Sequence, residues 1–514
     1  MSGIAEIIAL AWRILNIANI FFIIFVLFFE RKEDSRRMAW LLAMIFLPGV
    51  GVILYILLSG HFFTHKKQLN KINSYGLEQH NQILENQQYF FRENRANIPN
   101  SVVKENLSLL DMNISQSKSL LATTDSIKVF CWGQDMFEFM KKDIEEAKES
   151  IHMESFIFHN DKTGNEILDL LCRKAREGLS VKLLYDDMGS LRTSTRFFNK
   201  LDNAGGMSLA FSPIRWRIPL TINFRNHRKI TVIDGKIAYM GGVNIGDEYA
   251  NCSKKSKKFL WRDTHIRITG SSVPVLQSVF MTDWFITPAW KTRLKKLDDI
   301  TNYFPPSVFN SLNEKILNNL NNNLSDTIFG KDKIPTQILL SGPDDIQRTE
   351  IEDALIRMIM SAKKYVYIQT PYFIPTVQFT NAIKIAAYTG VDVRIMIPGT
   401  WDKWYVKAAS FEFIRESMEY GVKFYHYNGF IHSKTFVTDD KLVTIGSTNI
   451  DTRSFVLHFE VNALFYDKKL AIENKEIFLK DIENCHLAEK NWFDSQFILR
   501  RAIWAFCKLF SSML

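Results

Sequence analysis

Two long apolar segments stand near the start of the chain, separated by a short charged stretch. Ile14 to Phe29 is apolar apart from two asparagines, residues 30–37 are almost all charged, and Met38 to Leu58 carries no charge. A helix of about 20 residues crosses the hydrocarbon core of a bilayer. The pattern therefore predicts a two-span transmembrane hairpin over residues 1–62, with Pro48 kinking its second helix.

A cleaved signal peptide is the alternative interpretation of the first apolar segment. The segment lacks the basic start and the small-residue cleavage site of such peptides, and a second apolar segment follows directly, which favours the hairpin. Basic residues are nearly balanced on the two sides of the second segment, so the sequence does not decide on which side of the membrane the folded part lies. Residues 63–120 are polar and are predicted to form a linker into the folded part.

Beyond residue 120 the pattern alternates between strands and helices and repeats once. A helix-to-strand junction at Ala147–Glu154 recurs 215 residues later at Ala362–Gln369, and each following helix ends at a glycine, Gly178 or Gly390. Strand, helix and strand of this length predict parallel pairing through a crossover. The further predicted strands are Val181–Tyr185, Ile230–Ile233, Val391–Ile397 and Thr435–Val437.

The predicted fold class is therefore α/β, with two pseudo-twofold-related lobes whose mixed β-sheets are flanked by helices. The first lobe is expected at residues 121–290 and the second at 335–514, where it ends in an amphipathic helix. A polar connector at 291–334, which contains the Asn-rich run 318–323, separates them.

Composition indicates a folded chain with a basic bias. The 514 residues are 46% hydrophobic and 23% charged, which excludes a disordered protein. The net charge of +9 suits an anionic partner, either phospholipid headgroups or nucleic acid. The five cysteines lie far apart and form no C-x-x-C pair, so neither a zinc site nor a disulfide framework is indicated.

One octapeptide pattern, H-x-K-x-x-x-x-D, occurs once in each predicted lobe. In both copies an asparagine lies 17 residues after the histidine. Two copies with matching spacing indicate a duplication and predict one active site built from both halves. The first copy is His227, Lys229, Asp234 and Asn244, and the second is His432, Lys434, Asp439 and Asn449.

Histidine, lysine and asparagine in this pattern suit phosphodiester exchange. A neutral imidazole can attack phosphorus and form a phosphohistidine. The opposite imidazole can protonate the leaving alkoxide and then deprotonate the incoming alcohol. Lysine and asparagine donors stabilise charge on the phosphoryl oxygens in the transition state. Because lysine supplies the positive charge, neither a metal nor another cofactor is expected.

Four acidic side chains have expected supporting roles. Glu460 is expected to hold His432 by its other ring nitrogen, and Asp263 is interpreted as the counterpart of Glu460 in the first copy. Asp234 and Asp439 end their strands before a turn, which favours a structural role over direct chemistry. The other histidines are interpreted as ordinary core or surface residues, namely His61, His65, His80, His152, His159, His265, His426, His458 and His486.

The paired motifs resemble the phospholipase D superfamily, whose members share a duplicated H-x-K-x-x-x-x-D signature. A narrower resemblance, to bacterial cardiolipin synthases, covers essentially the whole chain. The segments that carry it are Arg225–Ile230, Gly241–Asn244, Glu248–Tyr249, Trp261–His265, Gln369–Phe373 and Gly446–Ser454.

This resemblance implies transfer of a phosphatidyl group between two phosphatidylglycerol molecules, giving cardiolipin and glycerol. It also implies a phosphatidyl-histidine intermediate at a membrane that supplies both lipids, with His227 as the nucleophile. One position departs from the internal repeat, because Gly242 stands where the second copy has Ser447, a hydroxyl donor. The two halves are therefore not equivalent.

Two other functions remain open. A hydrolytic phospholipase D, or a nuclease of the same superfamily, would use water as the acceptor. A membrane-anchored binding module would have a catalytically inactive site. Both motifs are intact, which argues against a dead site, and the hairpin argues against a nuclease, so no nucleic-acid partner is expected.

Three segments mix aromatic and basic residues as interfacial segments do. They are Ile214–Leu220, Trp401–Tyr405 and the tail around Arg500, Trp504 and Lys508. Each is expected at the headgroup level of the membrane or, alternatively, packed on the folded lobes.

Overall fold

The structure is a computed structural model, and it describes residues 2–29, 34–58, 83–214, 224–253, 260–287, 328–343 and 349–509. Several predicted features lie outside these ranges. They are most of the polar linker before residue 83, the loop at 215–220, the connector up to residue 327 and its Asn-rich run.

The first apolar segment forms one long helix, α1 (Ser2–Phe29). Its part Ala9–Phe29 is the one described helix that is long and apolar enough to cross a membrane. The second apolar segment forms two shorter helices, α2 (Asp34–Phe46) and α3 (Val50–Leu58). Proline lacks the amide proton that a continuous helix needs, so a break falls at Pro48 where a kink was predicted.

Helix-type hydrogen bonds nevertheless bridge this break. The Leu47 N–H donates to the Ala43 carbonyl (2.9 Å), and the Gly51 N–H donates to the Leu47 carbonyl (2.7 Å). The Asn19 side chain of α1 donates to the Met44 carbonyl of α2 (3.1 Å). The three helices therefore pack as one hairpin, joined by a hydrogen bond that compensates a polar side chain among apolar ones.

The remaining helices and strands are numbered in chain order. The helices are α4 (residues 83–93), α5 (Ser101–Glu105), α6 (Leu107–Ser115), α7 (Gly133–Glu146), α8 (Lys162–Arg176), α9 (Thr195–Asn203), α10 (Ser272–Ile286), α11 (Glu350–Ser361), α12 (Val377–Tyr388), α13 (Trp404–Met418), α14 (Thr452–Val456), α15 (Lys468–Ile482), α16 (Lys490–Asp494) and α17 (Ile498–Leu509). The strands are β1 (Leu121–Thr124), β2 (Ser126–Phe130), β3 (Ser150–Ser155), β4 (Ser180–Asp186), β5 (Met207–Phe211), β6 (Arg225–Asn226), β7 (Ile230–Ile233), β8 (Ile237–Gly241), β9 (Trp261–Arg262), β10 (His265–Thr269), β11 (Ile334–Ser341), β12 (Tyr365–Gln369), β13 (Phe373–Ile374), β14 (Asp392–Pro398), β15 (Lys423–Tyr427), β16 (Phe430–Ile431), β17 (Thr435–Thr438), β18 (Leu442–Gly446), β19 (Ile450–Asp451), β20 (His458–Tyr466) and β21 (Cys485–Leu487).

Each lobe is built on one mixed sheet. The first has the order β2-β10-β8-β7-β3-β4-β5, and the second the order β1-β11-β20-β18-β17-β12-β14-β15-β21. The predicted parallel pairs are confirmed, because β3 pairs with β4 and β12 with β14 in parallel. The helix after β3 and the helix after β12 are followed by Gly178 (φ +93°) and Gly390 (φ +88°), as expected of left-handed caps.

Residues 83–124 belong to the second lobe. Strand β1 pairs antiparallel with β11 of that lobe, and Leu110 and Ile114 of α6 are buried in its core. The first sheet therefore starts at Ser126 rather than at residue 121. The described residues from 83 onward pack on the second lobe, where a linker was predicted.

Two very short strands cross between the lobes. Strand β6 of the first half pairs in parallel with β20 of the second, and β16 of the second half pairs in parallel with β9 of the first. The two sheets also share one apolar core, to which both contribute, as with Val232 and Ile266 on one side and Val443 and Val461 on the other. The lobes are thus held as a single body around their contact.

Candidate active site

Both motif histidines come directly after a crossing strand. The His227 N–H donates to the Phe459 carbonyl (3.0 Å), and the His432 N–H donates to the Arg262 carbonyl (2.6 Å). Each histidine is therefore fixed by backbone hydrogen bonds to the opposite half of the chain. The motif strands β7 and β17 begin only after the lysines, so the histidine–lysine pairs precede the strands that were expected to carry them.

The two orienting carboxylates also reach across the lobe boundary. The Nδ1 atom of His227 lies 2.9 and 3.1 Å from the two carboxylate oxygens of Glu460, and Nδ1 of His432 lies 2.7 Å from Oδ2 of Asp263. The prediction that Glu460 holds His432 was wrong. Pairing of β6 with β20 sets His227 next to the residue after Phe459, and that residue is Glu460.

The two carboxylates differ in their neighbours. The Ser447 hydroxyl donates to Oε2 of Glu460 (2.5 Å). A β-carbon at Gly242, the corresponding position of the first copy, would stand 2.1 Å from Oδ1 of Asp263. The departure from the repeat thus has a steric cause, because Asp263 occupies the space that a serine would need.

Both motif lysines are buried beside the histidines. Nζ of Lys229 donates to the His227 carbonyl and Nζ of Lys434 to the His432 carbonyl. Burial lowers the pKa of Lys229 to about 7, with Lys434 contributing, and burial lowers the pKa of Lys434 to about 8. An anion that entered between them would relieve this unfavourable burial of charge, so the pair is suited to hold a phosphodiester.

The two histidine–carboxylate pairs have different proton affinities. Burial, with Lys229 next, holds the pKa of His227 well below its usual value, and burial raises the pKa of Glu460 to about 7. Burial also lowers the pKa of His432, to about 4, against the opposing charge of Asp263. Burial alone would raise the pKa of Asp263, but the neighbouring His432 lowers this pKa below its usual value. The second pair therefore has the more ionic carboxylate.

A cavity of about 790 Å³ lies between the lobes and is lined by His227 and His432. The motif asparagines Asn244 and Asn449 line the same cavity. Asn244 accepts a hydrogen bond from the Ile157 N–H (3.2 Å), and the side-chain oxygen of Asn449 has no hydrogen-bond partner in the described part of the chain. The cavity thus brings together both copies of the histidine and asparagine positions.

The two motif aspartates lie away from the cavity. Asp234 (φ +51°) and Asp439 (φ +53°) sit in the turns after their strands. Each accepts three backbone N–H groups: Asp234 those of residues 148–150, at 2.8 to 2.9 Å, and Asp439 those of residues 363–365, at 2.7 to 3.0 Å. These contacts favour the structural role, since each aspartate ties its turn to the start of the neighbouring strand.

Sequence reasoning missed a third histidine at the cavity. His458 lines it, and its ring lies 5.6 Å from that of His227. Neither ring nitrogen of His458 has a hydrogen-bond partner among the described residues. Its place two residues before Glu460 on a strand, and hence on the same face, was the available signal. Ligand atoms of His227, His458 and Glu460 lie within 4.8 Å of one another, so these three residues could hold a metal ion.

Two buried arginines fix the backbone around the carboxylates. Arg228 donates to both oxygens of Asp283 (2.7 Å each) and to the Glu460 carbonyl (3.0 Å). Arg262, which precedes Asp263, donates to the two oxygens of Asp481 (3.1 and 2.6 Å). Such two-point contacts restrict orientation as well as position, and these residues were not predicted from the sequence.

We expect Gly242→Ala to lower turnover by about 100-fold while leaving the fold intact. The added methyl would displace the Asp263 carboxylate, and His432 would lose its orientation. The measurement is the initial rate together with the melting temperature. Gly178→Ala is the matched control, because a β-carbon there meets no atom within 4 Å, and it should keep the wild-type rate. A Gly242→Ala enzyme with the wild-type rate would contradict the steric argument.

Two protein families match the chain by sequence. The family described as cardiolipin synthase, PLD-like domain, matches residues 140–259 and 355–482. The family described as phospholipase D-nuclease N-terminal matches residues 14–60. The two parts of the first match fall on the two lobes, and the second match falls on the apolar helices.

Similar proteins extend the match to most of the chain. A cardiolipin synthase of Listeria welshimeri is 39% identical over 477 residues, which cover 91% of this chain and 92% of the relative. A cardiolipin synthase of Staphylococcus aureus is 40% identical over 470 residues, covering 91% and 89%. A solved structure, the phosphatidylserine synthase of Haemophilus influenzae Rd KW20, supports the fold with a TM-score of 0.58 at 16% identity, covering 80% of this chain and 100% of that one. The chain therefore belongs to the cardiolipin synthase family of phospholipase D-like proteins.

Proposed function

We propose that this enzyme is a cardiolipin synthase, a phosphatidyltransferase that converts two phosphatidylglycerol molecules into cardiolipin and glycerol. The observation that carries the proposal is the pairing of two histidines, each held by a carboxylate of the opposite half, around one cavity. Relatives that share 39 to 40% of the residues over most of the chain have the same name. The substrates are phospholipids, and the enzyme is associated with a membrane.

The first chemical step uses both histidines. A carboxylate at Nδ1 keeps the ring proton there and leaves Nε2 for chemistry. Nε2 of His227 attacks the phosphorus of the first phosphatidylglycerol, a nitrogen–phosphorus bond forms, and the bond to the glycerol oxygen breaks. His432 gives a proton to that oxygen, so free glycerol leaves. The lysines Lys229 and Lys434 stabilise the charge that develops on the phosphoryl oxygens.

The second step reverses these roles on a new alcohol. The free hydroxyl of the second phosphatidylglycerol gives its proton to His432, and its oxygen forms the new bond to phosphorus. The bond to His227 breaks, and cardiolipin leaves. Asn244 and Asn449 donate to the phosphoryl oxygens throughout. Asp234 and Asp439 contribute by holding the motif strands in place.

The difference between the two pairs supports His227 as the nucleophile. Burial lowers the pKa of both rings, so the difference lies in their carboxylates. Glu460 accepts a hydrogen bond from Ser447 and has a pKa raised to about 7, so it is a weaker partner for a protonated ring and favours a neutral His227. Asp263 has a lowered pKa and is therefore the better partner for a protonated ring, which suits His432 as acid and base. The pseudo-twofold arrangement thus has chemically different ends.

The apolar helices at the start of the chain cross the membrane twice in this proposal. Helix α1 forms one span, and α2 with α3 forms the return span, since hydrogen bonds continue across Pro48. The PLD-like lobes then follow at about residues 126–290 and 335–514, with residues 83–124 attached to the second. Phosphatidylglycerol and other anionic phospholipids are the proposed partners, and no nucleic-acid partner is proposed.

We expect the purified enzyme to form cardiolipin and glycerol from vesicles of phosphatidylglycerol alone, in equal amounts and with EDTA present. The lysines supply the positive charge for the transfer, so chelation is expected to leave the rate unchanged. The measurement is lipid chromatography with a glycerol assay. Phosphatidic acid as the only product would make the enzyme a hydrolase, and a need for a CDP-activated lipid would refute the proposed transfer.

A further inference from the structure

A second cavity of about 640 Å³ lies beside the active site in the second lobe. Helix α13 and strand β15 form one side, and the segment from β21 to α17 forms the other. Thr400 lines both this cavity and the catalytic one. The two cavities are therefore neighbours across the loop that leads into α13, and the mechanism above makes no use of the second.

Two cations face this second cavity, and neither has a carboxylate partner in the described part of the chain. Among the described residues, Lys407 makes no ion pair, and the side chain of Arg500 donates to Gln496 (2.6 Å). Burial, with the charge of Arg500 next, lowers the pKa of Lys407, so the two cations oppose each other. Among the described residues that line the cavity, Glu489 is the one acidic residue. Unpaired positive charges in a partly buried cavity favour an anionic ligand.

Aromatic rings line the same cavity beside these cations. Lys407 lies 5.3 Å from the ring centre of Phe411, and Arg500 lies 5.7 Å from that of Trp492. His426 and His486 face each other across the strand pair in the same lining. A phospholipid, whose charged phosphate lies next to apolar acyl chains, matches this mixture.

Helix α17 presents an apolar face to solvent next to the cavity. Its inner face is anchored on the lobe through Trp504, which is buried against Phe411 at 5.4 Å between ring centres. The outer face carries large apolar side chains that are 45 to 64% exposed: Leu499, Ile503, Phe506 and Leu509. Arg500, Arg501 and Lys508 flank them. This is the pattern of a helix that lies in the plane of a membrane interface.

We propose that this cavity is a second, non-catalytic lipid site, in which Lys407 and Arg500 bind the phosphodiester of an anionic phospholipid whose acyl chains lie along the outer face of α17. The tail of the chain thus both packs on the lobe and reaches the interface, which were alternatives from the sequence. A lipid held here stands beside the catalytic cavity and orients the lobe toward the bilayer. The site goes beyond the proposed transfer and does not depend on its chemistry.

The test is photolabelling of the full-length protein in detergent micelles with a trace of phosphatidylglycerol that carries a diazirine in its acyl chain. Mass spectrometry maps the labelled peptides. We expect labelling of α17, reduced about tenfold in the double variant Lys407→Gln/Arg500→Gln. The matched control is Lys423→Gln/Lys490→Gln, which removes two partly exposed lysines of the same lobe that are paired with Asp392 and Asp494.

The headgroup specificity of the site is tested with a second probe. A phosphatidylcholine probe is expected to label α17 at least about tenfold less than the phosphatidylglycerol probe. Equal labelling by both probes, or an unchanged double variant, would overturn the headgroup site. Displacement by inorganic phosphate alone would show an ion site without lipid specificity and would also overturn it. Labelling of the catalytic cavity and cardiolipin formation in micelles report separately on the proposed function, and melting temperatures report on folding.

Discussion

Alanine in place of either His227 or His432 is expected to lower cardiolipin formation by at least about four orders of magnitude. One histidine forms the bond to phosphorus and the other moves the proton, so neither can replace the other. The assay is the turnover of phosphatidylglycerol vesicles by each variant. His80→Ala, which alters a histidine outside both motifs, is the control for the substitution itself.

A substrate with a better leaving group separates the two roles. The p-nitrophenyl ester of phosphatidic acid releases p-nitrophenolate without needing a proton. His432→Ala is then expected to give one rapid equivalent of p-nitrophenolate and a lipid adduct on His227, whereas His227→Ala gives neither. A burst of p-nitrophenolate from His227→Ala, and none from His432→Ala, would instead make His432 the nucleophile and His227 the acid and base. Normal turnover of phosphatidylglycerol by either variant would refute a shared site.

Neutralising either orienting carboxylate is expected to lower turnover by about two to four orders of magnitude. Asp263→Asn and Glu460→Gln keep an oxygen that can accept from Nδ1, but they remove the charge that stabilises a protonated ring. The effect should follow the crossed pairing. Glu460→Gln is expected to slow the p-nitrophenolate burst, since it acts on His227, whereas Asp263→Asn leaves the burst and slows turnover.

A surface carboxylate provides the matched control. Glu145→Gln changes an exposed residue that pairs with Arg173, and it should leave both the burst and the turnover unchanged, as isolated surface pairs contribute little. If Asp263→Asn slowed the burst and Glu460→Gln did not, each carboxylate would serve the histidine of its own copy. That result would contradict the geometry of the crossing strands.

Features with a local pattern could be predicted from the sequence. Both lobes, their parallel pairs and the glycine caps follow from alternation and spacing over a few dozen residues. Strand β1 could not be placed in this way, because its partner β11 lies more than 200 residues away. The helices before it were interpreted as a linker because residues 63–120 are rich in Asn, Gln and Glu. Their apolar residues, such as Leu110, are explained only by the second lobe on which they pack.

The candidate site shows the same limit. The spacing of the motifs predicted that both histidines serve one cavity, and the structure places them there. The crossed carboxylates could not be predicted, because they depend on β6 and β16, which are two residues long and leave no periodic signal. His458 was overlooked because it lies outside both motifs, and its one signal was its place two residues before Glu460 on the same strand.

The crossing strands also bear on how the two ends of the site could become different. Two identical chains that exchanged such strands would form a symmetric dimer, in which every substitution appears on both sides of the cavity. Within one chain, a residue can change on one side alone. Ser447 in the second copy, where the first copy has Gly242, is such a change. As a result Glu460 accepts a hydrogen bond from a serine as well as from its histidine, whereas Asp263 has no serine at the corresponding position. Joining the halves in a single polypeptide thus permits the two histidines to take different roles. The crossing strands still make the position of each histidine depend on the other half of the chain.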